Sequence, residues 1–178
     1  MQLDKLKGLL VLCFIVCSQI QAQDEDRVLL WSEDRKLTWA DYQGSPLKTE
    51  WAAATTASGI TYSLSSIIGN GESSLEVIVN SLFYPNKSWY KPDVCDDVIL
   101  SHEQLHFDIT ELFAKKFRER LRTVRNDTNI KKKVRAIFVE INRDLHAFQN
   151  KYDRETNYSR DIKQQETWNK TIHEALNE

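Results

Sequence analysis

The chain is poor in cysteine, with only Cys13, Cys17 and Cys95 in 178 residues. Two of the three fall in a segment that reads as an export signal. Lys5 and Lys7 precede the short apolar run Leu9 to Val16, and Ile20-Gln21-Ala22 supplies a cleavage site. A lipoprotein signal ending at Cys17 is disfavoured, because bulky Val16 stands before it. Removing residues 1–22 leaves Cys95 alone, which excludes an intramolecular disulfide. Cys95 then reads as a small buried hydrophobe.

Long hydrophobic runs are also lacking. Leu9 to Val16 is too short for a bilayer, which needs about 20 apolar residues. The sequence therefore predicts no membrane span, and a secreted or periplasmic location. There is no surplus of positive charge: 24 Lys and Arg stand against 26 Asp and Glu, a net of −2. Nucleic-acid binders carry a basic excess, so that class is excluded. The densest basic run, Lys131-Lys132-Lys133, reads as a solvated helix face. No repeat or low-complexity segment divides the chain, so residues 23–178 are expected to form one domain. No long prosegment separates the signal from Val28. Nothing in the sequence sets an oligomeric state.

What is present divides into two halves. The first reads as strands. Val28 to Trp31 is one, and Leu37 to Gly44 a short turn of structure. Ile60, Tyr62 and Leu64 alternate in one run, and Leu75, Val77, Val79 and Phe83 share a face in the next. Gly69-Asn70-Gly71 between those runs marks a β-hairpin. After Pro92 the period becomes helical. Asp96 or Asp97 caps a helix to about Arg125, with Leu105, Ile109, Leu112, Phe113, Phe117 and Leu121 on one face. A second carries Ile130, Val134, Ile137, Phe138, Ile141, Leu145 and Phe148. A loop over Tyr152 to Ser159 is predicted next. Ser159 then caps a last helix with Ile162, Gln165, Trp168, Ile172 and Leu176. Strands followed by helices give an α+β class, a small antiparallel sheet packed on a helical C-terminal half.

The chemistry lies in His102-Glu103-Gln104-Leu105-His106 on the first helix. Four residues turn a helix by about 400°, so both imidazoles point the same way, one turn apart. Two His ligands of one tetrahedral zinc need that separation. Glu103 lies beside them, placed to take a proton from water and pass it to a leaving amine. With four histidines in the chain, a chance match is on the order of one in a hundred or less. His146 and His173 read as ordinary helix-face residues. Catalytic zinc usually takes three protein ligands and leaves a fourth position for water. No third His follows at short spacing. Asp108, about 200° round the helix from His106, faces away, whereas Glu111 is better aligned but a turn further on.

Leu100 to Ile109 around the His-Glu pair, with Leu37 to Gly44 and Ala53 to Ile60 upstream and Tyr152 to Trp168 downstream, resemble in order a bacterial family of unknown function predicted to be secreted zinc-dependent proteases. Leu37-Thr38-Trp39 with Asp41-Tyr42-Gln43-Gly44, and Ala53-Ala54-Thr55 with Gly59-Ile60, are similar to its start. Ser88-Trp89 and Leu100 to Ile109 resemble its central motif. Tyr152-Asp153, Glu155-Thr156, Gln164-Gln165 and Trp168 resemble its C-terminal motif. The resemblance implies a single-domain zincin. That family often has a His shortly after the Thr, a natural third ligand, where this chain has Tyr158. Three readings follow: Asp153 as third ligand, Tyr158 as ligand or oxyanion donor, or a weakened site, with Glu111 and Glu155 as further carboxylates.

The functional expectation is peptide-bond hydrolysis at zinc, with His102, His106 and Asp153 as metal ligands, Glu103 as general base and Tyr158 or Tyr152 at the oxyanion. The substrate would be a peptide or protein lying along an exposed strand edge. The alternatives are a non-catalytic, zinc-stabilised envelope binding module and a metal-dependent amidase acting on cell-wall peptides. Trp31, Trp39, Trp51 and Trp89 are candidates for a cleft lining, though most read as core.

Overall fold

The computed structural model describes residues 28–69, 72–124 and 128–178, and of residues 66–69 and 72–75 the backbone alone. The export signal, the Asn70-Gly71 turn, the side chain of Leu75 and the helix end near Arg125 lie outside what is described.

The fold is α+β. Five strands come first: β1 (Leu29–Leu30), β2 (Ala54–Thr55), β3 (Ser58–Gly69), β4 (Glu72–Phe83) and β5 (Trp89–Tyr90). Three helices follow: α1 (Asp97–Arg122), α2 (Ile130–Glu155) and α3 (Ile162–Asn177). β1, β4 and β3 form one antiparallel sheet in that order, and β2 pairs antiparallel with β5. In the long hairpin, Ile60 lies opposite Ser81, Tyr62 opposite Val79 and Leu64 opposite Val77. Alternation puts these side chains on one face, where Ile60 and Val79 join the core.

That face packs on α1, the central helix, which also contacts α2 and α3. Ile109 and Phe117 are fully buried on α1, as is Val134 on α2. α1 begins where the Asp96 carboxylate accepts the Ile99 amide at 2.9 Å. Arg120 and Arg122 in its last turn complement the helix dipole. A smaller cluster of Leu37, Tyr42, Phe83 and Phe107 holds the N-terminal segment against the other side of α1. Gly44 is required there, since a Cβ would meet the Ser88 carbonyl oxygen at 2.8 Å.

Three local expectations are corrected. Tyr152 to Glu155 is not loop but the last turn of α2. The apolar stripe continues from Phe148 to Tyr152 at i+4, and Tyr152 is fully buried, so packing carries the helix on. Ser159 does not cap α3. The cap is Asp161, whose carboxylate accepts the Gln164 amide at 3.0 Å. Ile162, expected on the apolar face of α3, is exposed.

Candidate metal centre

His102 and His106 stand one turn apart on α1 with their Nε2 atoms 3.3 Å apart. Asp153, in the last turn of α2, brings Oδ1 to 3.2 Å from His102 Nε2 and 3.0 Å from His106 Nε2. His102, His106 and, 51 residues beyond His102, Asp153 thus turn one donor atom each to a common point, a group able to hold a metal ion. The lengthened α2 makes this possible, because it carries Asp153 on a rigid turn packed against α1 through Tyr152.

Crowding shifts the titration of Asp153 and His106. Burial alone raises the Asp153 carboxyl, but hydrogen bonds from His102 and His106 outweigh it and hold the group well below the usual carboxylate range. Burial depresses His106, but its hydrogen bond to Asp153 and the nearby charges of Glu103 and Asp153 win, and its pKa is raised.

A buried polar set orients His102. Its Nδ1 lies 3.0 Å from Gln165 Oε1, which also accepts the Tyr152 hydroxyl at 2.8 Å. Since that oxygen only accepts, Nδ1 carries a proton, which would leave Nε2 free to give its lone pair to a metal in place of its hydrogen bond to Asp153. Gln165 Nε2 donates to Asn169, and Asn169 to Ser101 Oγ. The Tyr152 ring stacks on the His102 ring at 4.5 Å. Burial, with lesser contributions from Glu103 and Asp153, pushes the Tyr152 phenol far above its ordinary value, so it remains a donor. Its hydroxyl is already engaged with Gln165 and the His102 carbonyl, so Tyr152 is a buried support for the centre and not an oxyanion donor.

Glu103 is buried beside the histidines, and among the described residues its Oε2 has no hydrogen-bond partner. A carboxylate oxygen in that state is costly unless something absent here meets it. The Glu103 carbonyl accepts Thr56 Oγ1 at 3.1 Å, tying the segment before β3 to the helix.

The trio and Glu103 open onto a cleft of about 360 Å³. Residues Trp51 to Thr56 and Tyr158 to Arg160 are among those that line it. Asn157, Tyr158 and Ser159 all have positive φ, at 49°, 54° and 70°. Three consecutive non-glycine residues in the left-handed region cost roughly 1–2 kcal/mol each. That turn carries the exposed Tyr158 to the cleft lip.

The other candidate ligands are engaged elsewhere. Glu111 accepts Ser81 Oγ and pairs with Arg118 at 2.7 Å, facing the sheet. Glu155 accepts Trp168 Nε1 at 3.1 Å. The Cys95 thiol donates to the Ala53 carbonyl, and burial pushes it up. His146 and His173 are exposed on helix faces. Asp108 turns away, as its helical angle predicts, and accepts Trp31 Nε1 at 2.7 Å. Of the tryptophans, Trp89 is core while Trp51 lines the cleft.

Residues 86–160 match the family described as bacterial protein of unknown function (DUF922). The match takes in all three residues of the trio, Glu103 and Tyr158. The stretches Leu37 to Gly44, Ala53 to Ile60 and Gln164 to Trp168 lie outside it. No curated protein and no solved structure matches the chain.

Proposed function

We propose that this protein is an exported zinc peptidase. One observation carries the reading: the buried, unpartnered carboxylate oxygen of Glu103 shares a cleft with three converging metal-ligand atoms.

Zinc fits the donor set. Two imidazoles and a carboxylate are among its ordinary ligands, at about 2.0–2.2 Å. Ligands of a regular tetrahedron at such lengths stand about 3.3–3.6 Å apart. The separations of 3.0, 3.2 and 3.3 Å run from slightly below that span to its lower edge, so a small outward shift of the donors would admit the ion. Three donors with a cleft beside them suit a catalytic site better than a structural one, which closes with four. When bound, zinc supplies Lewis-acid chemistry, polarising a carbonyl and making water a nucleophile at neutral pH.

The chain's own residues do the rest. Glu103 accepts the proton of the attacking water and delivers it to the leaving amine. Gln165 and Tyr152 hold His102 in one tautomer. Tyr158 offers its hydroxyl to the oxyanion that develops on the substrate carbonyl. β2 offers a seat for an extended backbone. The Lys91 amide donates to the Ala53 carbonyl, so alternation turns the Ala54 amide and carbonyl away from β5, and Ala54 lines the cleft. Residues 1–22 fit the same reading as an export signal.

Metal analysis paired with cleavage of an unfolded protein tests the proposal. About one zinc per chain and cleavage abolished by a chelator are expected. A protein that takes up no zinc, or cleaves equally well without it, would overturn it.

A further inference from the structure

Arg160 stands at the cleft lip, and it is the cleft's one cationic side chain among the described residues. The other lining segment, from Trp51 to Thr56, is uncharged. On the floor Asp153 is occupied by the two histidines, and Glu103 repels anions. Among the described residues no carboxylate pairs with Arg160, whose Nη1 donates only to the Asn157 carbonyl at 3.3 Å. That bond anchors one nitrogen of the fork to the turn, and among the described residues the other donors have no partner. A guanidinium fork held this way matches the two oxygens of a carboxylate. Two exposed aromatics, Trp51 at 73% and Tyr158 at 54%, flank the same opening. They can hold the apolar part of a peptide between them while its charge is read at one end.

From this placement we infer that Arg160 sets substrate specificity by binding a carboxylate of the peptide on the lip formed by the α2–α3 turn. The inference rests on the peptidase reading of the cleft. It deepens that reading by naming the substrate class, a peptide with an anionic group, and by fixing which end of the cleft receives the charge. A peptide's terminal carboxylate and an acidic side chain present the same chemistry, and the test separates them.

Three dansylated heptapeptides of otherwise identical sequence serve as probes. One carries Glu and an amidated terminus, one Gln and a free terminus, and one Gln and an amidated terminus. Binding is read by fluorescence anisotropy at low salt, on zinc-loaded Glu103→Gln protein so that nothing is cleaved. The same measurement is made with Arg160→Gln added. At least one anionic peptide is expected to bind about 10- to 100-fold more tightly than the neutral one, the range of a charge-assisted hydrogen-bond pair. Whichever does so names the source of the carboxylate, and Arg160→Gln should abolish the preference. Equal binding of all three, no binding, or a preference that survives Arg160→Gln overturns the inference. Cleavage by wild type separates the two readings. A charge preference without chelator-sensitive cleavage removes the peptidase and keeps the Arg160 site. Cleavage with equal kcat/KM for all three peptides does the reverse.

Discussion

Nδ1 of His102 lies 3.0 Å from Oε1 of Gln165, 63 residues away in the chain. This contact joins α3 to the candidate centre and leaves Nε2 as the imidazole nitrogen turned to the point where the three donors converge. Outer partners of this kind typically contribute 10–100-fold in metal affinity. Gln165→Leu should therefore weaken zinc binding by about that factor while the protein still folds. Competition with a chromogenic chelator measures it. Unchanged affinity would mean that Tyr152 stacking alone orients the ring.

Asp153 and Tyr158 are two answers to the third-ligand question, and the geometry separates them. Asp153 touches both imidazoles, whereas Tyr158 stands on the exposed lip. Asp153→Ala should lose most of the zinc affinity. Tyr158→Phe should keep the metal and slow turnover, by roughly 10²–10³ if its hydroxyl meets the oxyanion. Titration of both variants with zinc, followed by a cleavage assay, decides the order.

The metal-free protein should show a pH signature opposite to that of the loaded one. Asp153 has a depressed value, so its contribution to stability is full above its unfolded value of about 3.9 and lost as pH falls through the folded value. His106 has a raised value, so its contribution is full below about 6.5 and lost as pH rises through the folded value. Both are present between about pH 4 and 6.5. The thermal midpoint without zinc should draw its largest gain from this pair there, and Asp153→Asn should flatten the profile. With zinc the gain should grow towards neutral pH, because ligation requires unprotonated imidazoles. Melting curves across pH, with and without chelator, check both limbs.

Trp31→Phe isolates the contact that holds β1 to the helix. It removes the 2.7 Å hydrogen bond to Asp108, a buried carboxylate left with Gln104 and a distant Lys36. A loss of about 1–3 kcal/mol is expected in urea unfolding, with zinc content unchanged. A loss of zinc instead would show that Asp108 supports the metal centre through α1.

The readable part of the site was the part encoded locally. His102 and His106 are four residues apart, and helical geometry alone brings them together. Asp153 was one of several carboxylates because its place depends on where α2 ends. The loop expected over Tyr152 to Ser159 starts too early, because burial of Tyr152 prolongs the helix to Glu155. Gln165 left a fainter signal. It falls on the apolar face of α3 with Trp168 and Ile172, and a polar residue in such a position needs a buried partner. Its partner, 63 residues upstream, could not be read from spacing. The strained turn at Asn157 to Ser159 had no signal at all, since none of the three is glycine.

Glu103 is where chemistry and mere metal binding part. Its Oε2 is buried with no protein partner, so the carboxylate does not serve the fold through that atom. Glu103→Gln keeps the size and the ability to hydrogen-bond but cannot take a proton. Zinc content should stay near wild type, because Glu103 is outside the trio that converges on the metal point. Stability should hold or rise slightly, since an unpaired buried charge is replaced by a neutral amide. Turnover should fall by roughly 10²–10⁴, the share general base catalysis supplies. Metal analysis, melting and chelator-sensitive cleavage on the same preparation give all three readings. Undiminished cleavage would remove Glu103 from the mechanism. Loss of zinc together with activity would make it a ligand rather than a base.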